Sequence, residues 1–272
     1  MSVKVSYLLS KNKKVVDIEL EDGALASDLI EKLHLTAPNE ACAISINGTM
    51  KDLVSPLANS DMVEIFSFDE DMGKEVFWHT SAHVLAQAVL RLFPNAKPTI
   101  GPPIENGFYY DFADLHITED DLEKIETEML KIVGENYKSQ RQVFSSKEEA
   151  LQKFSNNPFK IDLIQSFGPQ DEISGYTQGE FFDLCRGPHL PNLGKIKALK
   201  IMKTSGAYWK GDSKNVMLTR IYGITFPDKK MLREYLHKLE EAKKRDHKIL
   251  GPRLDLFSLK EEAPGMPFIH PK

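Results

Sequence analysis

The chain has 272 residues, 41% of them hydrophobic and 28% charged, with a net charge of −5. That length suits two ordinary domains and the start of a third, and the net charge argues against indiscriminate binding to nucleic acid. No apolar run approaches the roughly 20 residues needed to span a membrane. Two cysteines, Cys42 and Cys185, exclude a disulfide scaffold and suit a reducing, cytoplasmic setting.

Residues 1–69 alternate as strands: Val3-Val5-Tyr7, then Val16 to Leu20. A short helix pattern from Ser27 to Leu33 follows, with Ser27 expected as its N-cap. The strand Ala43–Ile46, the turn Asn47-Gly48 and the strand Val63–Phe66 complete the set. Hairpin, helix and further strands in about 70 residues predict a ubiquitin-like β-grasp module. A buried small hydrophobe is the better reading of Cys42.

Asp69-Glu70-Asp71-Met72-Gly73 marks a boundary. The next helix is expected from about Lys74 to Phe93, stopped by Pro94. Four residues advance a helix by about 400°, so His79 and His83 fall on one face a turn apart. Around Asn106-Gly107 a hairpin with a type I′ turn is expected. In its second strand Tyr109 and Tyr110 must face opposite sides. Thr118 to Asp121 opens a helix with a capping-box pattern, and a short helix is expected from Ser146 to Phe154. Phe159 to Ile164 reads as a strand carrying Lys160. The strand Gly179 to Cys185 runs into Gly187-Pro188-His189, and three strands follow at 200–203, 206–210 and 217–222. From Asp228 a long helix carries Met231, Leu232, Tyr235 and Leu239 on one face and is expected to end near Gly251.

Two stretches concentrate the chemistry: His79-Thr80-Ser81-Ala82-His83 and Asp183-Leu184-Cys185-Arg186-Gly187-Pro188-His189. Cys185 and His189 repeat the four-residue spacing of the histidine pair. Three imidazoles and a thiol can bind zinc or assemble a proton-transfer site. Charge is uneven along the chain: residues 1–70 hold twelve acids against six Lys. Between Leu193 and Arg220, seven basic residues oppose only Asp212, which is either a solvated sheet face or a phosphate-contacting surface.

With these stretches assembled, together with Ile104 to Asp111 and Thr204 to Asp212, the sequence resembles the N-terminal part of bacterial threonyl-tRNA synthetases. Arg245-Asp246-His247-Lys248 and Glu261 to Met266 match that family's entry into its catalytic domain. The resemblance implies an α+β chain. It comprises a TGS (β-grasp) domain at 1–69, an editing domain with a mainly antiparallel sheet at 70–226, a linker helix at 227–251, and the truncated start of a class II catalytic domain at 252–272. The implied activity is hydrolysis of the ester in mischarged seryl-tRNA(Thr), in a monomeric fragment unable to aminoacylate. The ATP, Mg and Zn sites of the synthetic domain, and the homodimer contact, would lie beyond Lys272.

The resemblance assigns His79, His83, Lys160, Cys185 and His189 as catalytic, and Tyr110 and Asp183 as substrate-binding. Lys195, Lys197, Lys200, Lys203 and Lys210 are the expected guides for tRNA phosphates. No metal ligand is assigned, although His79, His83, Cys185 and His189 could take zinc. A second site is needed because serine lacks one methyl of threonine. That difference is worth only about 1–3 kcal/mol in binding, and a pocket shaped for threonine cannot exclude something smaller. The rival readings are a non-catalytic RNA-binding module and an alanyl-type trans-editing protein. A nucleotide-signalling or GTPase regulator would need a phosphate loop or a His-Asp metal pair, and the sequence has neither.

Overall fold

The computed structural model describes residues 2–11, 13–35, 40–246, 250–251, 253–259 and 266–271. It divides into two compact units at the Pro227–Asp228 junction.

In the first unit, β1 (Ser2–Leu9), β2 (Val16–Glu21), α1 (Ala26–Lys32), β3 (Ala41–Ile46), β4 (Thr49–Lys51) and β5 (Met62–Ser67) form a five-stranded sheet in the order β2-β1-β5-β3-β4. β1 and β5 run parallel between antiparallel neighbours, the β-grasp arrangement that the alternation predicted. Val3, Val5, Leu20, Ile44, Val63 and Ile65 point one way and bury Leu29 of α1. The cap differs from expectation. α1 starts after Leu25, whose N–H donates to the Asp28 carboxylate at 2.7 Å, so the acid three residues on does the work expected of Ser27. Asn47 and Gly48 both have positive φ, 52° and 79°, as a type I′ hairpin requires.

α2 (Asp71–Leu92) is the centre of this unit. Its residues from Val76 to Val89 are buried on nearly every side, including Thr80, Ser81, His83 and Gln87. The face that carries His79 and His83 is therefore part of a core helix and not the wet side of an amphipathic one. Such a helix must satisfy its polar side chains internally. Thr80 and Ser81 donate back to the carbonyls of Val76 and Phe77 at 2.9 Å each, and Trp78 Nε1 donates to Thr225 O at 3.0 Å.

β6 (Lys97–Pro98), β7 (Pro103–Ile104), β8 (Gly107–Ala113), β12 (Ala198–Tyr208) and β13 (Met217–Phe226) make a second, antiparallel sheet, ordered β12-β13-β8-β6 with β7 on β8. A third contains β9 (Gln140–Val143), β10 (Ser174–Gln178) and β11 (Phe181–Leu184), ordered β11-β10-β9. α3 (Glu119–Glu135), α4 (Lys147–Lys153) and α5 (Pro158–Ser166) complete the unit. The result is the α+β architecture expected.

Three local expectations are corrected. Phe159 to Ile164 is helical: Pro158 occupies the first turn and Asn157 caps it, its Oδ1 accepting from the N–H groups of Phe159 and Lys160, which outweighs the β-branched pattern. The strands at 200–203 and 206–210 are one strand, β12, with a register shift between Ile201 and Lys203. The β7–β8 hairpin turns at Glu105-Asn106, with only Gly107 at positive φ (106°).

In the second unit, Asp228 caps α6 (Lys229–Lys244) by accepting from the Lys230 N–H at 2.5 Å. α6 closes at Arg245 instead of continuing towards Gly251. β14 (Phe257–Leu259) and β15 (Pro267–Ile269) pair antiparallel. His247, Lys248 and Glu261 to Gly265, which belong to the catalytic-entry motifs, lie outside the described residues.

The first turn of α2 lies against the end of β5 only because residue 73 has no side chain. A Cβ at Gly73 would sit 1.8 Å from the Ser67 carbonyl oxygen. Gly73→Ala should destabilise the unit by roughly 2–4 kcal/mol, read as a fall in the urea midpoint at constant slope. An unchanged midpoint would show that this junction yields freely.

Candidate functional site

α2, β8, α5, β11, the segment leading into β7 and the turn after β11 converge on a cleft of about 410 Å³ lined by His79, His83, Gly101, Tyr110, Lys160, Asp183 and Cys185, among others. α2 supplies His79 and His83. Cys185 and His189 lie in the turn after β11, not on a helix, so their four-residue spacing arises from the turn itself. Gly187 makes this geometry available. Its φ is 72° and a Cβ there would sit 2.0 Å from the Tyr176 hydroxyl.

The four side chains that share this spacing meet. Cys185 Sγ lies 3.3 Å from His79 Nε2 and 3.1 Å from His189 Nε2, and it accepts from the Gly187 N–H at 3.2 Å. One ligand atom from each of His79, His83, Cys185 and His189 lies within 4.8 Å of all the others. Ligand atoms around a tetrahedral zinc are about 3.5 Å apart, so this cluster can hold a metal ion. Two further observations fit such an ion. Thr80 Oγ1 donates to Val76 O and accepts from the Leu190 N–H, so the 3.1 Å contact from His189 Nδ1 is an N–H donor. That tautomer leaves the Nε2 lone pair facing Cys185. His83 Nδ1 is buried without a hydrogen-bond partner.

Burial sets the protonation states. It lowers His79 to about 3, aided by the neighbouring His83, and lowers His83 to about 3, aided by Lys160. His189 is driven well below its usual value by burial and by the other two histidines. Burial pushes the Cys185 thiol well above the ordinary range. The protein alone therefore holds three neutral imidazoles and a protonated thiol, the wrong state for a thiolate nucleophile. A metal ion would ionise the thiol.

Beside this cluster lies a buried charged triad. Lys160 Nζ is 2.5 Å from Asp183 Oδ1, and both side chains are 3% exposed. Lys160 also donates to the Tyr110 hydroxyl at 3.3 Å, and Tyr110 donates to Asp183 Oδ2 through a short contact. The Leu184 N–H donates to Asp183 Oδ1 at 2.8 Å, and His83 Nε2 is 3.8 Å from Oδ2. Tyr110 packs inward and presents its hydroxyl at once, while Tyr109 faces the other way beneath Arg220. Lys160, expected on a strand, is buried because α5 turns it inward.

All seven residues assigned to chemistry or substrate are thus brought together. The sequence reading missed Thr80, Tyr176 and Asp52. Asp52, just past β4, accepts from the His189 N–H at 3.1 Å and from the Tyr176 hydroxyl at 2.7 Å, and the Tyr176 ring lies 4.3 Å from that of His189. No sequence signal marks a contact across 137 positions.

The basic segment is mostly neutralised. Lys195 pairs with Glu40, Lys200 with Glu126, Lys210 with Asp162, and Arg220 with Asp111 through two bonds. Lys203 lies over the Tyr222 ring, and Lys197 is exposed. Of the five lysines expected to face tRNA, only Lys197 and Lys203 are without a carboxylate partner among the described residues.

A domain model described as the threonyl and alanyl tRNA synthetase second additional domain matches residues 173–222. Threonine–tRNA ligase of Protochlamydia amoebophila (strain UWE25) is 63% identical over 262 residues, covering 96% of this chain and 40% of the relative. Those of Chlamydia felis (strain Fe/C-56) and Caldanaerobacter subterraneus subsp. tengcongensis are each 51% identical, covering 93% of the chain and 40% of their own length. The chain thus spans about 40% of the length of the curated relatives it matches. The motifs that meet in the cleft and the similarity along nearly the whole sequence agree: the chain corresponds to the N-terminal two-fifths of threonine–tRNA ligases, editing domain included.

Proposed function

We propose that the cleft hydrolyses the ester of seryl-tRNA(Thr), removing serine that a threonine-shaped site elsewhere in the whole enzyme fails to exclude. The convergence of neutral imidazoles and one buried ammonium on an open cleft carries this reading. Ester hydrolysis needs a held water, a positive charge for the developing oxyanion and a proton for the departing ribose oxygen. His83, whose Nδ1 lacks a protein partner, holds the water. Lys160, its charge fixed by Asp183, faces the oxyanion. The Tyr110 hydroxyl, linked to both, completes a path along which a proton reaches the leaving oxygen. Cys185 acts through its contacts with His79 and His189, not as a nucleophile.

Single-turnover deacylation with all tRNA bound should remove serine while sparing threonine. His83→Ala and Lys160→Met should each slow serine loss at least tenfold. Binding without turnover would make the chain an RNA-binding module, and two unaffected variants would overturn the role assignment.

Zinc is the ion that the donors of His79, His83, Cys185 and His189 favour. Held by all four, it would fill a closed, structural-type site and take the His83 nitrogen that otherwise holds the water. On the assignment above, which uses the metal-free cluster, protein stripped by a chelator should hydrolyse seryl-tRNA at least as fast as the untreated protein. Loss that added zinc restores would move the chemistry to the metal.

tRNA(Thr) is the partner this reading requires, and Lys197 and Lys203 are its best-placed phosphate contacts. Replacing both with Ala should reduce the slope of log affinity against log salt by about 1–2. An unchanged slope would return them to a solvated sheet face.

A further inference from the structure

Beside its histidines, the side chains of charged type that line the cleft are Glu75, Lys160, Asp183 and Arg186. Lys160 and Asp183 neutralise each other out of solvent. Asp183 is also occupied by the Tyr110 hydroxyl and the Leu184 N–H, which leaves it poorly placed to receive a substrate amine. The other two differ in every respect. Glu75 is exposed on α2, one turn before His79 on the same face, and Arg186 is exposed beside Cys185. Neither has an ionic partner among the described residues. The Arg186 guanidinium lies 5.0 Å from the Phe167 ring centroid, which steadies it without neutralising it.

The cleft rim thus carries one free anion and one free cation. The aminoacylated end of an RNA carries the complementary pair: the α-ammonium of the esterified amino acid and the phosphate 5′ of the terminal adenosine. We propose that Glu75 and Arg186 are substrate-binding residues that read these two charges, Glu75 the ammonium and Arg186 the phosphate. A guanidinium suits the phosphate because it can offer two parallel donors. This assignment rests on the ester-hydrolase reading above and gives the amine to Glu75, leaving Asp183, which the resemblance implies to be substrate-binding, as the partner of Lys160. Its consequence is specificity for a free α-amine, so that an N-blocked aminoacyl end, such as that of a nascent peptide, is bound poorly.

The probes are non-hydrolysable analogues in which L-serine is amide-linked to 3′-amino-3′-deoxyadenosine 5′-monophosphate. One further version is N-acetylated and another lacks the 5′-phosphate. Titrated against the full chain, the parent analogue should bind about tenfold more tightly than either charge-deleted version. Glu75→Gln should erase the penalty of N-acetylation while leaving the phosphate preference intact, and Arg186→Gln should do the reverse. The deleted analogues, expected to bind each matching variant as they bind the native protein, report that the cleft is still formed. If either variant keeps its full charge preference, the assignment of that residue is overturned. If the native protein binds no analogue, the ester-hydrolase reading falls, and this inference falls with it.

Discussion

Lys160 and Asp183 are buried together, and neither could be there alone. An isolated ammonium or carboxylate in such surroundings would cost several kcal/mol. Paired at 2.5 Å, with the Tyr110 hydroxyl bridging and the Leu184 amide donating, they form a charge that cannot move. Its influence reaches His83, where the Lys160 ammonium adds to burial in holding the ring neutral. At His79 burial and the neighbouring His83 do so against the pull of Asp183, so both imidazoles keep free lone pairs at any pH near neutrality. The ion pair need not stabilise the fold to be retained. Its contribution is to fix a positive charge, in a buried wall, beside imidazoles that burial keeps uncharged.

α2 has two duties. Its apolar residues form the middle of the core, and its histidines form one wall of the cleft. Because it is buried almost all round, it has no soft face on which to rotate. Thr80 shows the economy of the arrangement. One hydroxyl satisfies the helix by donating to Val76 and fixes the neighbouring turn by accepting from Leu190 and His189. Gly73 and Gly187 serve the same end from opposite sides, each permitting a backbone approach that any side chain would block.

What the sequence revealed and what it hid follow from range. His79 and His83 were legible because helical periodicity is local, and Cys185 and His189 because a Gly-Pro turn is local. Strand alternation set Tyr109 and Tyr110 on opposite faces, but only the family resemblance singled out Tyr110. Lys160 was placed on the wrong element: Phe-Lys-Ile-Asp-Leu-Ile alternates like a strand, yet the decisive signal was the preceding Asn157-Pro158, a cap and a first-turn proline. The basic segment from Lys195 to Arg220 misled for a different reason. Its counter-charges, Glu40, Glu126, Asp162 and Asp111, are far away in sequence, and no local count of charge can find them. Glu75, alone among acids one turn from His79, was passed over because an exposed acid early in a helix has an ordinary explanation in the helix dipole.

Asp52 carries a lesson for anyone who would take the chain apart. A cut after residue 69 looks clean by composition, since the β-grasp strands end there and α2 begins. Yet such a cut would strip the acceptor from the backbone N–H of His189 and from the hydroxyl that packs over Gly187. The loop that presents one of the three imidazoles would lose its outer support, although every residue named in the chemistry would still be present. The borders of the folding modules and the borders of the site do not coincide, and an excised editing domain would be a different object from the one embedded here.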